Sequence, residues 1–268
     1  MDRQYFFEKY SIDESMFEKL GIKWSDLEEI CDEYSVRLPL YEDTARFLAD
    51  LMNKEKSIHS IKYRVKDKEH LIEKIIRKSS QDPDFLATFR DYEKNVKDLI
   101  GLRALHLFKE DWVDVHRFLA ANWDFYTTPR ANFKKGDPEA LLEMYAAMGC
   151  DLNEHKNGYR SIHYHLLLKL GRQDMVAEVQ VRTLFEEAWS EIDHYFRYSF
   201  KKDTEHAEPY LGVLNNITSN ADSLASYINN LGLIDKSNIG LYEKGGDGDP
   251  HNEPQLNVRE LLNKVRHG

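Results

Sequence analysis

The sequence predicts an α+β protein: a mixed β-sheet flanked by helices, with helical extensions at both ends. Three observations carry this. Segments of strict period-two alternation, Ile61–Lys66 and Met175–Arg182, sit among segments whose apolar residues recur three and four apart, such as Leu71, Ile72, Ile75 and Ile76. The run Val96–Phe108 is apolar nearly throughout, as a strand covered on both faces is. The two kinds of segment are interleaved as strand, helix, strand, helix, strand and then a paired hairpin, which places helices against one sheet.

Length and charge bound the rest. The chain has 268 residues, room for one large or two small domains, and 41% hydrophobic residues, an ordinary share for a globular protein. No apolar run approaches the ~20 residues that cross a bilayer. The start, M-D-R-Q-Y-F-F-E-K-Y, lacks a signal-peptide core. A soluble cytoplasmic protein with no membrane association is expected. Cys31 and Cys150 have no metal-type spacing and read as two free thiols. The net charge of −10 argues against broad nucleic-acid binding. Yet Lys54–Lys78 holds nine Lys and Arg against four acids, a surplus of five, so the remainder carries −15. A basic island in an acidic protein points to a specific anion site.

Residues 1–56 read as two or three helices packed on the main domain, with no chemistry of their own. Asp13-Glu14 opens a short helix ending at Gly21. Ser25 suits the cap of a second, carrying Leu27, Ile30 and Tyr34, and Pro39 should break it. Tyr41–Met52 resumes with Phe47, Leu48 and Leu51 on one face. The strand Ile61–Lys66 then presents Lys62, Arg64 and Lys66 on one side, and a helix over Lys68–Ser79 carries Lys74 and Lys78 on its polar face. Such a basic face can hold a triphosphate; it also fits a solvated lysine-rich surface.

Asp82-Pro83 breaks the chain, with a short helix after it. Asp98 stands at the entrance to the buried strand. A carboxylate there can hold Mg²⁺ together with an acid from a neighbouring strand, and Glu178 is the candidate partner; a strand-end cap is the plainer alternative. Glu110–Ala121 is a helix with Val113, Phe118 and Leu119 inward, and Asp124–Thr128 an edge strand stopped by Pro129. Asp137 as cap, Pro138 as first residue and Gly149 after the end punctuate an inserted helix.

Asn157-Gly158 makes a turn, and Tyr159 directly after it can stack on a base or pack over its own hairpin. Two strands follow, joined at Gly171. On the second, Val176, Glu178, Gln180 and Arg182 share one face and Met175, Ala177, Val179 and Val181 the other. A carboxylate, an amide and a guanidinium in a row suit phosphate and a metal; they also suit a solvated strand face. Thr183-x-x-Glu186 is a capping box for a helix to about Lys201, with Trp189, Ile192 and Phe196 toward the sheet. From Pro209 to Leu233, the residues Leu214, Ile217, Ala221, Leu224, Ile228 and Leu231 form an a/d seam. It suits an intramolecular brace and, alternatively, a homo-oligomer. Lys244–Pro254 reads as a flexible linker, with a short helix over Val258–Val265.

N-G-Y-R-S-I-H at Asn157–His163, E-V-Q-V-R-T at Glu178–Thr183, D-L-I-G-L-R at Asp98–Arg103 and R-V-K at Arg64–Lys66 occur in the order that resembles the synthetase domain of the RelA/SpoT family. The resemblance covers roughly Lys54–Lys201, and E-A-W-S-E-I-D-H is similar to single-domain small alarmone synthetases. It implies a nucleotidyltransferase-like fold and Mg²⁺-dependent transfer of pyrophosphate from ATP to the ribose 3′-hydroxyl of GTP or GDP, making (p)ppGpp. It implies Arg64, Lys66, Lys74 and Arg103 on ATP, and Asn157, Tyr159, His163 and Gln180 on the acceptor. Asp98 and Glu178 become the acidic, metal-holding pair, with Glu178 helping to deprotonate the 3′-hydroxyl. His165 has no counterpart and reads as structural, and His70 stands where the family has serine. The domains expected are a helical extension (1–56), the synthetase domain (57–201), a helical brace (202–243) and a linker with a terminal helix (244–268).

No His-Asp dipeptide occurs, so synthesis without hydrolysis is expected. The inserted helix departs from the family's acceptor loop, where Arg130, Lys134 and Lys135 are the candidate cations. This opens an alternative: a toxin-type relative that pyrophosphorylates adenosine nucleotides or the 3′ end of tRNA, with an antitoxin as partner. A second alternative is an inactive nucleotide-sensing module, against which the retained Asp98, Glu178 and Gln180 argue.

Overall fold

The computed structural model of the chain describes residues 1–170, 173–199 and 204–242. Met1–Ser226 form one compact unit and Tyr227–Gly268 a second, whose described part continues the last helix. The joint at Gly171, the stretch Lys244–Pro254 and the short terminal helix lie outside the described residues.

The N-terminal extension comprises α1 (Arg3–Tyr10), α2 (Glu14–Lys19) and α3 (Trp24–Met52). Asp2 and Asp13 cap the first two, each accepting a backbone N–H three residues on. Ser25 does not cap α3, which begins at Trp24 without a side-chain cap. Nor does Pro39 break it. A proline removes one helical hydrogen bond. Tyr34 and Tyr41, on either side of Pro39, are both buried, their rings 5.4 Å apart, and hold the two halves on one core.

Next come β1 (Ser60–Val65), α4 (Lys68–Gln81), α5 (Pro83–Ala87) and α6 (Tyr92–Asn95). Asp67 caps α4 by accepting from the amides of Glu69 and His70. Leu71, Ile72, Ile75 and Ile76 are fully buried, at about 1.5–3 kcal/mol each. Then follow β2 (Ile100–His106), α7 (Trp112–Asn122), β3 (Asp124–Phe133), α8 (Glu139–Ala147), β4 (Asp151–Glu154), β5 (Ser161–Leu170), β6 (Gln173–Thr183), α9 (Leu184–Ser199) and α10 (Thr204–Tyr242). Among the described residues the strands form one sheet in the order β1-β2-β6-β5-β3-β4. The β2–β6 and β3–β4 pairs are parallel and the others antiparallel, so the sheet is mixed.

Two further expectations fail here. The strand from Asp124 neither stops at Pro129 nor lies at the edge; β3 runs to Phe133 between β5 and β4. Pro129 sits where the register shifts between Thr127 and Arg130, a place that tolerates a missing donor. Asp137 does not cap α8. Its carboxylate instead accepts the Lys134 amide and two bonds from the Arg160 guanidinium.

The helix α9 buries Trp189, whose indole N–H donates to the Leu211 carbonyl, but leaves Ile192 40% exposed. In α10, Ile217 and Leu224 of the apolar seam face solvent. The residues buried against the rest of its unit are Leu211, Asn215, Thr218, Asp222 and Ser226. The docked stripe is therefore mostly polar.

Candidate functional site

Two parallel strands set the centre of the site. The β2–β6 register places Gly101 beside Glu178 and Arg103 beside Gln180, and the antiparallel β1 places Arg64 beside Gly101. The alternation on β6 is as read from the sequence: Ala177, Val179 and Val181 are fully buried in the core, and Glu178 and Gln180 point to the opposite face. Lys62, Arg64, Gly101, Arg103, Glu178 and Gln180 line a cleft of about 260 Å³. The Arg64 stem packs over Gly101, 3.6 Å from where a Cβ would stand, an ordinary contact distance.

Just before β2, Asp98 lies between two ammonium groups, Lys66 at 2.9 Å and Lys74 at 2.7 Å, all three side chains less than a fifth exposed. Burial opposes the charge of Asp98, but the two lysines outweigh it and hold the carboxyl below its ordinary range. The lysines are not fully compensated in return. Burial, with Lys74 and Arg64 nearby, lowers the Lys66 pKa despite Asp98. Burial and Lys74 lower that of Lys78 as well. Among the described residues no carboxylate lies within 4.0 Å of Arg64 or Lys78. This corner has more cations than anions, which is what a polyphosphate requires.

Glu178 occupies the middle. His163 Nδ1 is 3.4 Å and His165 Nε2 4.0 Å from its Oε1, and the Gln180 amide donates to Oε2 at 3.1 Å. Burial pushes its pKa up, but His163 and Gln180 hold it below the ordinary value, so it is a carboxylate at neutral pH. His165, read as structural, is fixed by Thr127, whose hydroxyl is 2.7 Å from Nδ1.

The opposite end holds the hairpin residues. Tyr159 is half-buried rather than exposed. Its hydroxyl is 3.1 Å from His163 Nε2 and donates to Gln180 at 3.4 Å, and the Arg182 guanidinium lies 5.3 Å from its ring centre. Asn157, one residue before the turn glycine, is exposed. The fold thus gathers Arg64, Lys66, Lys74, Asp98, Arg103, Glu178, Gln180, Tyr159 and His163 along one face of the sheet.

The sequence reading missed Glu187 of α9. This buried carboxylate reaches Lys62 at 3.3 Å, Arg103 at 3.2 Å and Arg182 at 3.0 Å. Glu191 takes Arg103 as well. The acid lies in the helix after the strand whose arginine it neutralises, and alternation along one strand cannot reveal it. The Thr183-x-x-Glu186 box forms only in part: Thr183 Oγ1 accepts the Glu186 amide, while the Glu186 carboxylate turns to Arg160.

The donors suit a hard divalent cation. Asp98 and Glu178, each with its side chain 15% exposed, are close enough for the charge of one to act on the other. Asp98 Oδ1 and Oδ2 each face one ammonium group, Lys74 at 2.7 Å and Lys66 at 2.9 Å, and a carboxylate oxygen has a second lone pair to offer a cation. Mg²⁺ is held by one or two carboxylates plus substrate phosphates rather than by an all-protein cage. Among the described residues no group of three or more His, Cys, Asp or Glu gathers into such a cage.

A mixed sheet flanked by helices, with a cation-rich corner beside a pair of carboxylates, defines the class as an α+β fold with a candidate anion-binding cleft. The chain belongs to the RelA/SpoT family: the model of the region found in RelA / SpoT proteins matches residues 63–203. Two curated relatives come from Bacillus subtilis (strain 168). GTP pyrophosphokinase YwaC is 23% identical over 158 residues, 58% of this chain and 65% of its own length. GTP pyrophosphokinase YjbM is 26% identical over 160 residues, 58% and 64%. The match thus spans slightly under two thirds of these relatives. The small alarmone synthetase 1 from Bacillus subtilis superposes with a TM-score of 0.59 at 23% identity, covering 76% of this chain and 99% of that one. Its structure bound to its product pppGpp gives 0.52 at 24%, covering 76% and 93%. These likenesses are of fold. Among the described residues no helix is long and apolar enough to cross a membrane.

Proposed function

We propose that the chain transfers the β,γ-pyrophosphate of ATP to the ribose 3′-hydroxyl of GTP or GDP. One observation carries the reading: Arg64 lines one cleft with an ionised Glu178, and the Lys66–Asp98–Lys74 cluster lies near enough for the Asp98 charge to act on Glu178. Family membership, relatives named GTP pyrophosphokinase and a fold neighbour bound to pppGpp support it. ATP phosphates would exchange with Asp98 for the ammonium groups of Lys66 and Lys74, and Arg64 and Arg103 would complete the donor side. Tyr159, Asn157, His163 and Gln180 would hold the acceptor. The 3′-oxygen attacks the β-phosphorus, the bond from the β-phosphorus to the α-phosphate oxygen breaks, and AMP leaves with that oxygen. Glu178 takes the 3′-hydroxyl proton. Asp98 and Glu178 are the residues that would hold Mg²⁺, which when bound offsets charge on the phosphates.

The test is product analysis with γ-labelled ATP and magnesium, offering GDP, GTP, ATP and deacylated tRNA separately. Label on GDP or GTP supports the proposal. Label on ATP or tRNA alone would replace it with a toxin-type transfer. Nucleotide binding without transfer to any acceptor would leave a sensing module.

A further inference from the structure

We propose that Asn215 of α10 is a positioning residue for the acceptor, acting through the Asn157–Gly158–Tyr159 turn. The proposal rests on the reading of Tyr159 as an acceptor contact. It starts from the polar stripe of α10. A helix docked only for stability would bury its apolar seam, since each buried Leu or Ile contributes about 1.5–3 kcal/mol. This one leaves Ile217 and Leu224 in solvent and buries Asn215, Thr218 and Asp222 instead. Buried polar groups cost free energy unless their partners are specific.

The partners of Asn215 are specific. Its side chain is 1% exposed. The amide Nδ2 donates to the Gly158 carbonyl at 2.9 Å. Its Oδ1 accepts from Lys134 Nζ at 3.0 Å and from the Arg160 guanidinium at 3.2 Å. Lysine and arginine donate only, so they fix which end of the amide faces them and leave the N–H end for the carbonyl. One amide thus ties the turn, the end of β3 and the residue after Tyr159.

The turn is built around this contact. Gly158 has φ +74°, and a Cβ there would stand 2.9 Å from Lys134 Cδ and 3.1 Å from Asn215 Oδ1. Glycine is needed for its backbone angle and for the close approach of α10. Arg160 is held in turn by Asp137 and Glu186, and Thr183 Oγ1 donates to Asp222 at 2.8 Å, so the stripe grips both flanks of the hairpin. Tyr159 lies between two clamped residues, and the direction of its ring follows from where they are held.

The experiment compares Asn215→Asp, Asn215→Ala and the exposed control Asn220→Ala in the full chain. Asn215→Asp keeps an acceptor for Lys134 and Arg160, adds a negative charge beside them, and replaces the donor to Gly158 with a second carboxylate oxygen that faces its carbonyl. Asn215→Ala removes the donor without the added charge. Two readouts are taken: Michaelis constants for ATP and for GDP, and hydrogen exchange of the amides at 157–160. The expected result for Asn215→Asp is a rise of roughly tenfold in the GDP constant, the factor for one buried hydrogen bond at about 1.4 kcal/mol. The ATP constant should stay within about twofold, and amides 157–160 should exchange faster than in wild type and Asn220→Ala. If Asn215→Asp does not fold, Asn215→Ala is read the same way. Unchanged exchange, or equal rises for ATP and GDP, would overturn the proposal. If wild type transfers nothing to GDP, the functional reading fails separately. Exchange and the GDP dissociation constant then decide the positioning role, which an unchanged GDP constant would end.

Discussion

Replacing Asp98 by Asn gives the sharpest test of the cation-rich corner. The carboxylate sits 2.9 and 2.7 Å from two ammonium groups. At an effective dielectric near 20, each contact attracts by about 6 kcal/mol. Desolvation of three buried groups and the mutual repulsion of the lysines cancel most of that. Removing one partner of a buried ion pair costs about 3–5 kcal/mol, and about 4 kcal/mol is expected for Asp98→Asn near pH 7. The loss should depend on pH with a definite sign. Burial already lowers Lys66, and without Asp98 it falls further. A lysine lowered in the folded state binds fewer protons folded than unfolded, so stability rises with pH between the lowered value and the ordinary 10.5. The variant should therefore recover stability toward pH 9–10 relative to wild type. Inorganic tripolyphosphate without metal should also stabilise it, since phosphate oxygens replace the missing carboxylate. Urea unfolding at pH 7 and pH 9, with and without tripolyphosphate, measures all three effects. A loss under about 1 kcal/mol, or a profile that falls with pH relative to wild type, would refute the uncompensated-lysine argument.

Three further outcomes are expected. Glu178→Gln should lower kcat for pyrophosphate transfer by about 10²–10⁴-fold while unfolding free energy stays within about 1 kcal/mol, checked by steady-state kinetics and urea titration. Gly158→Ala forces a Cβ onto φ +74° and to 2.9 Å from Lys134, so it should cost about 1–2 kcal/mol in thermal unfolding. Burial raises Glu186 from 4.5 to about 7 and Asp222 from 3.8 to about 6. The folded state then binds more protons, so these groups make stability fall as pH rises between about 4 and 7. Glu186→Gln should flatten that fall, read from melting curves at pH 5 and pH 8.

What the sequence disclosed, and what it hid, follows from which forces are local. The strand faces were legible because period two is a property of one strand: Glu178 and Gln180 share a face and Val179 and Val181 the core. Asp98 was legible as a carboxylate at a strand entrance, but its two lysines come from β1's end and α4, and only the fold shows them meeting. Pro39 and Pro129 misled because a single lost hydrogen bond is local, whereas Tyr34 and Tyr41 packing, and the register shift of β3, are not. Asp137 looked like a cap until Arg160, distant in sequence, claimed its carboxylate.

The seam of α10 shows the same limit from the other side. A 3-4 repeat of apolar residues says which face of a helix could be buried, and it does so by hydrophobicity alone. In this unit the face that docks is chosen by the hydrogen bond Asn215 donates to the Gly158 carbonyl of the turn and the one Asp222 accepts from Thr183 at the strand end. Donors and acceptors of such a stripe have no period in the sequence, because their spacing is set by the loop they grip. The apolar side is then left to solvent, at Ile217 and Leu224. A helix that gives up apolar burial to hold one turn must gain specificity there. The turn it holds is the one that aims Tyr159 across Gln180, in the same cleft as Glu178. Loosening α10 and weakening acceptor binding should therefore be one event.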